Sequence, residues 1–475
     1  MRTADATFPD AITARHEQRS PSDRGALVSL SLSMLLSSLG TNIANVGLPA
    51  LAKAFAAPFH QVQWVVLAYL LAVTTLIVSA GRFGDIIGRR RLLLTGIGLF
   101  TMASVLCGVA PTLWFLVAAR AVQGLGAAIM MALTMAFVAK ATRNEKPGRA
   151  MGLLGTMSAV GTALGPSLGG LLISTFSWRA LFLVCVPLGV IALLLAHRFL
   201  PVDHDGATPH RADFDHVGTL LLILTLVAYA LAMTMRRGSF GALNAGLLFT
   251  AAIGSGLFAF AESKAVSPLI QLSMFRDRVL RAGFAMSALV TTVVMATLVV
   301  GPFYLAGALA LDAAQVGLVM SSGPLVAALA SAPAGRIVDR SGATVAAIIG
   351  LIGMLAGCVS MAIVPPSVAV AGYMASLVSI TAGYAVFQTA NNTAVMTRSR
   401  ADKVGVISGM LGLSRNLGLI TGVTVMGAVF THATGSTNMM TARPEAIATG
   451  MRITFGVGAM LLVVTLAIAH HARDA

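Results

Sequence analysis

Apolar residues along this chain form long unbroken runs, not the two-residue or three-to-four-residue periods of elements that bury a single face. Fourteen runs reach the roughly 20 residues a helix needs to cross a bilayer: 26–50, 61–82, 92–110, 113–138, 149–174, 179–200, 216–235, 241–261, 282–307, 313–335, 342–364, 368–391, 404–430 and 451–470. The gaps between them are short. In lipid each segment must satisfy its own backbone hydrogen bonds, so the runs are predicted as helices and strands are excluded. The predicted fold class is all-α, integral to a membrane.

Two of the polar gaps read almost as copies. Gly81-Arg82-Phe83-Gly84-Asp85-Ile86-Ile87-Gly88-Arg89-Arg90-Arg91 follows the second run, and Gly335-Arg336-Ile337-Val338-Asp339-Arg340-Ser341-Gly342 follows the tenth. Each has Gly, a carboxylate four residues on, and Gly three further. A charged turn repeated at matching places in two hydrophobic halves is what a two-halved membrane transporter shows. Six runs precede residue 200 and six follow residue 281, with the pair 216–261 between polar linkers. The predicted organisation is a tail (1–24), a six-helix bundle (25–200), a linker carrying two extra helices (201–280), a second six-helix bundle (281–470) and a short tail (471–475).

Charge fixes the orientation and removes several function classes. Only 10% of the 475 residues are charged, against about 25% in soluble domains, and mean hydropathy is +0.87. With the N-terminus inside, 24 of the 32 Lys and Arg residues fall on the cytoplasmic side and 6 on the other, while Arg120 and Arg415 lie within spans. The positive-inside rule therefore places both termini in the cytoplasm, as expected of a multi-pass protein of the plasma (inner) membrane. The net charge of +15 is spread over interhelical loops, which suits anionic lipid and not nucleic acid. Residues 1–24 lack the apolar stretch of a signal peptide and read as a disordered cytoplasmic tail. Cys107, Cys185 and Cys358 fall inside apolar runs without metal-ligand spacing, so neither a metal nor a disulfide is expected. No HExxH, P-loop or GxSxG pattern occurs. An enzyme is not expected, and neither is a cofactor.

Within the spans, a few residues break the apolar rule. Gly161, Gly165 and Gly169 recur every fourth residue around Pro166, with Gly170 adjacent. Such a stripe lets another backbone approach closely, and the proline bends the helix. It is either a generic packing seam or a specific motif. Arg120 lies well inside the fourth run with Gln123 three residues on. A charge near mid-bilayer costs on the order of 3 kcal/mol, so Arg120 must face a cavity or a partner unless it snorkels to the interface. Arg415 carries the same argument. Asn42 with Asn45, and Gln388 with Asn391 and Asn392, are spaced to share a helix face; such amides either line a cavity or bond neighbouring helices. Trp64, Tyr69, Tyr304 and Phe387 are candidates for an apolar pocket, with packing the commoner use.

These residues together resemble a family. Gly81–Arg91, Leu116–Ala128 around Arg120, and Gly161–Gly170 are similar to motifs of the major facilitator superfamily, specifically its fourteen-span drug:proton antiporters. Gln63 to Val66 with Tyr69, the Trp178-Arg179 turn and Phe387 to Asn392 add to the likeness, which extends from Gly25 to Ala469. The resemblance implies two bundles rocking about a central site in a monomer. It implies a conformational latch at Gly81, Asp85, Gly88, Arg89 and Arg90, with Asp339 and Arg340 as its weaker counterpart. It also implies export of a small organic compound or drug by proton antiport. Arg120 and Gln123 are the coupling candidates, and Asn42, Asn45, Tyr69, Gln388, Asn391, Asn392 and Arg415 the candidates for the substrate cavity. One departure stands out. Gly40 occupies a position where many family members carry a carboxylate, and no acid lies deep in any run. That favours a neutral or anionic substrate and leaves a proton-independent facilitator or uptake carrier as the alternative.

Overall fold

The computed structural model describes residues 21–141, 147–200, 215–234, 241–265, 272–363, 368–397, 404–436, 439 and 442–473. The expectations placed on residues 1–20 and on most of the 201–215 linker lie outside the described residues. Fourteen helices are long and apolar enough to cross a membrane, in register with the fourteen sequence runs. They are α1 (Pro21–Val46), α2 (Trp64–Ile87), α3 (Arg89–Gly108), α4 (Leu113–Ala141), α5 (Pro147–Thr175) and α6 (Cys185–Phe199). Then come α7 (His216–Thr234), α8 (Ala242–Lys264), α9 (Arg278–Phe303), α10 (Ala313–Ser341), α11 (Ala343–Ile363) and α12 (Ala369–Thr397). The last are α13 (Val404–Thr421), continued through the π-turn Gly422–Met426 into Gly427–Thr434, and α14 (Pro444–Arg473). No strand occurs among the described residues.

The sequence copies are backbone copies. α2 stops at Gly88 (φ 100°) and α10 at Gly342 (φ 80°), a region L-residues rarely enter. In each, the glycine N–H donates back four residues, Gly88 to the Gly84 carbonyl (3.1 Å) and Gly342 to the Val338 carbonyl (2.9 Å). Each glycine carbonyl then accepts the first hydrogen bond of the next helix, from Leu92 (3.0 Å) and Ala346 (3.1 Å). Elsewhere polar side chains set the boundaries. Asp277 caps α9 by accepting from Val279 N (2.8 Å), and Asp312 forms a capping box with Gln315 at the start of α10.

Packing repeats in the same way. α1 lies on α5, while α4 packs on α2 and α3; later in the chain α9 lies on α13, and α12 on α10 and α11. Gly126 brings α4 onto the α3 backbone at Gly96 and Phe100, and Gly383 brings α12 onto α11 at Gly350. Without a hydrophobic force between helices in lipid, close approach of this kind carries much of the association. The extra helices α7 and α8 pair with each other, and α7 also touches α2 and the π-turn of α13. Tyr229 of α7 donates to Thr421 Oγ1 (3.1 Å), so this helix spans the seam between α1–α6 and α9–α14.

Several close approaches between α1–α6 and α9–α14 lie at the membrane face opposite the Gly88 and Gly342 turns. There Gly170 of α5 meets the α10 backbone at Ala313 and Gly317. Phe59, between α1 and α2, packs on Phe303 (4.8 Å between ring centres) and Phe430 (5.5 Å). Gln63 lies against Gly427. Toward the turns, Gly335, Gly409 and Gly412 have open space beside them.

Candidate functional site

Arg120 neither snorkels nor faces an open cavity. It is fully buried, with Nε donating to the Val65 carbonyl (3.0 Å) and Nη1 to the Gly40 carbonyl (3.0 Å) and to Gln123 Oε1 (2.6 Å). Gln123 passes the network on through Nε2 to Ser104 Oγ (2.7 Å). The guanidinium lies 4.2 Å from the Tyr69 ring centre and 5.8 Å from that of Phe182. α1, α2 and α4, with Phe182 just ahead of α6, thereby surround one charge, solvated by carbonyl dipoles and aromatic faces and by no carboxylate among the described residues, with Nη2 left without a hydrogen bond. A Cβ at Gly40 would sit 3.0 Å from Phe100 and 3.4 Å from the Tyr69 hydroxyl. The side of α1 from which a carboxylate would reach this pocket therefore supplies a main-chain oxygen instead. Tyr69, expected in the substrate cavity, is fully buried beneath Arg120, and its hydroxyl donates to the Ser37 carbonyl (2.9 Å).

The α5 stripe works in two directions. Gly161 lies against the Leu35 carbonyl, Gly165 against Asn42 and Gly169 against Val46, so this face seats α5 on α1. One residue round the helix, Gly170 and the Pro166 carbonyl meet Gly317 of α10. The same short segment therefore builds one half and seals it against the other.

The expected latch is partly in view. The surroundings of Gly81 and the side chain of Asp85 lie outside the described residues. Arg90 Nη2 donates to the His197 carbonyl (2.6 Å), fastening the α2–α3 turn to the end of α6. Asp339 and Arg340 are exposed.

The amide sets divide. Asn42 Nδ2 donates to the Ser38 carbonyl (3.0 Å) and reaches Thr162, whereas Asn45 is buried with neither amide atom partnered. Asn391, expected beside Gln388 and Asn392, donates through Nδ2 to the Gly283 carbonyl of α9 (3.1 Å) and lines a cavity there with Met286 and Ala347. Gln388 is half-buried and Asn392 exposed. Tyr384 shares their stripe at i, i+4, i+8. Phe387 packs against Gly350 and Tyr304 stacks on Tyr373; both are core residues. Arg415 is half-buried. Its carbonyl accepts from Thr291 Oγ1 (3.0 Å), which fixes α13 on α9. The main-chain acceptors of Arg120 and the Thr291 bond to the Arg415 carbonyl leave no mark in the sequence, since each depends on which helices become neighbours.

Comparison with known proteins decides the class. A family model described as Major Facilitator Superfamily matches residues 30–423. The chain belongs to the Major Facilitator Superfamily. It is similar to the multidrug resistance protein Stp of Mycobacterium tuberculosis, 32% identical over 85% of this chain and 75% of that protein. It is also similar to the riboflavin transporter RibZ of Clostridioides difficile, 29% identical over 86% of this chain and 88% of the other. In fold it is similar to a bacterial homologue of the lysosomal transporter Spinster, with a TM-score of 0.67 at 16% identity over 96% of this chain and 98% of that one. This facilitator is thus a multi-pass membrane transporter of small molecules and not an enzyme.

Proposed function

We propose that this facilitator exports small organic compounds of neutral or anionic character by alternating access, in exchange for protons, as a monomer in the plasma membrane with both termini cytoplasmic. Two six-helix lobes, 25–200 and 281–470, rock about a central chamber, with α7 on their seam and α8 packed on α7. The observation that carries this reading is the crossing of Gly170 and Gly317, where two backbones touch at one face while glycines near the turns have open space. With the turns cytoplasmic, this is the inward-facing member of the cycle. Asp85, Arg89 and Arg90, with Asp339 and Arg340, latch the opposite state by charge-assisted bonds that part when the lobes do. Similarity to Stp supports export.

A second reading, transport without proton coupling, is favoured by one observation: Arg120 is bonded to the Gly40 carbonyl where a titratable acid would otherwise stand. Inside-out vesicles with and without an imposed pH gradient separate the two. Proton antiport gives uphill uptake into vesicles with an acidic interior, whereas equilibration alone gives the second reading. In the same assay Gly165→Leu, which forces α5 away from Asn42, is expected to abolish uptake. Unchanged uptake by correctly inserted variant would remove the role given to the α5 stripe.

A further inference from the structure

Two arginines lie inside the membrane, and only one has hydrogen-bond partners for its guanidinium among the described residues. Arg120 is enclosed by carbonyls and rings, as described above. Arg415 is on α13, about 16 Å along the helix from its start at Val404, or roughly half the thickness of the hydrocarbon core. Its backbone is pinned: Thr291 Oγ1 donates to the Arg415 carbonyl (3.0 Å) and Thr292 Oγ1 to the Gly418 carbonyl (3.1 Å). Its guanidinium, half-buried, has no hydrogen bond or ion pair among the described residues. A guanidinium at that depth calls for carbonyls, water or an anion around it, and Arg415 has no carbonyl partner of the kind that holds Arg120.

Its neighbours face the space between the halves. On α12, Asn391 points at Gly283 of α9 and Thr381 at Gly323 of α10. Tyr384 and Gln388 fall between these two directions by helical phase, so they look into the gap that α9 and α10 leave. α13 touches α12, so Arg415 sits on the helix next to the one that carries Tyr384 and Gln388. Neither the Tyr384 hydroxyl nor the Gln388 amide makes a hydrogen bond among the described residues. The described acids Asp215, Glu262, Asp277, Asp312, Asp339 and Glu445 all lie at or next to helix ends. The chamber therefore holds a fixed positive charge with hydrogen-bond donors beside it and no described counter-charge.

We propose that Arg415, Tyr384 and Gln388 form an anion subsite that takes the carboxylate of an amphipathic organic acid. The guanidinium offers two parallel N–H bonds in the geometry a carboxylate matches, and the phenol and amide supply further donors. The subsite rests on the transport reading above and narrows its substrate class from neutral or anionic to anionic.

Three compounds with one ring system and three charges test it: indole-3-acetate, indole-3-acetamide and tryptamine, at equal millimolar concentrations with the purified full chain. Ligand that binds only the folded state raises the melting temperature. Indole-3-acetate is expected to raise it and the other two are not. Arg415→Gln should abolish that shift, Arg415→Lys should retain part of it, and Tyr384→Phe should weaken binding several-fold. Should Arg415→Gln fail to fold, Arg415→Lys and Tyr384→Phe carry the comparison. Equal shifts from acetamide or tryptamine, no shift from any of the three, or an acetate shift that survives in Arg415→Gln would each overturn the subsite. The readout is equilibrium binding and needs no flux. Acetate binding without gradient-driven movement would count against the transport reading alone, and movement of the neutral or cationic compound without anion preference against the subsite alone.

Discussion

Placing a side chain where α5 and α10 cross should drive the two halves apart at one face. A Cβ at Gly317 would lie 2.5 Å from the Pro166 carbonyl oxygen and 2.9 Å from Gly170 Cα. Both neighbours are backbone, so no rotamer change relieves the contact. Overpacking of this kind costs about 1–3 kcal/mol. The penalty exists only while the halves are together at this face, so it falls on one state of the cycle. With about 1.4 kcal/mol per factor of ten, Gly317→Val shifts the equilibrium toward the opposite-facing state by roughly 5- to 150-fold. Spin labels at Phe176 and Leu318, which are 77% and 68% exposed, report the separation by double electron–electron resonance. The short-distance population should fall and a longer one grow in Gly317→Val. Gly246→Ala is the control, since Gly246 has nothing within 4 Å. An unchanged distance distribution in folded Gly317→Val, or an equal change in the control, would refute the argument that this crossing is the seal.

Three further outcomes follow from the same geometry. Arg120→Lys cannot reach Val65, Gly40 and Gln123 at once and should lose about 2–3 kcal/mol of stability, read as an earlier thermal exposure of the buried Cys107, Cys185 and Cys358 to a thiol-reactive dye; an unchanged melting curve would mean that the enclosure carries no weight. Gly40→Asp puts a carboxylate beside the Tyr69 hydroxyl and Arg120, and should move the preference among indole compounds from acetate toward tryptamine; an unaltered order would detach this pocket from selectivity. Gly88→Ala and Gly342→Ala should each destabilise by about 1–3 kcal/mol through strain at positive φ, and a variant melting with the parent would show that its turn relaxes without loss.

Much of the architecture was legible because the bilayer allows few solutions. A run of about 20 apolar residues in lipid has one regular structure open to it, so the helices stand where the hydropathy puts them. The copied turns were equally legible, since a glycine obliged to take positive φ is a sequence-visible constraint; Gly88 and Gly342 are the outcome. The side-chain site was legible only where the partner lies one turn away, as with Arg120 and Gln123 (2.6 Å). Spacing alone put Asn391 with Gln388 and Asn392, yet its direction is set by the α9 backbone at Gly283. Tyr69 reads as a cavity aromatic until α4 delivers a guanidinium onto its face. Partners of this sort come from helix order and rotation about the helix axis, and an apolar sequence in lipid encodes rotation weakly because both faces are greasy.

The missing carboxylate on α1 and the charge on α13 bear on each other. An acid at position 40 would pair with Arg120, leaving the membrane interior with one uncompensated cation; a Gly there leaves Arg120 to backbone dipoles, which screen its field less completely than an ion does. On the proposed reading, two positive centres then act on a solute between the halves, one enclosed behind Tyr69 and one half-buried on α13. Their fields add in a low-dielectric chamber, which disfavours a cation at every position along the path and not only at Arg415. Selectivity against cations should therefore survive loss of Arg415 in part and fall further when Gly40→Asp is added. That stepwise, additive loss distinguishes a chamber-wide field from a single binding contact.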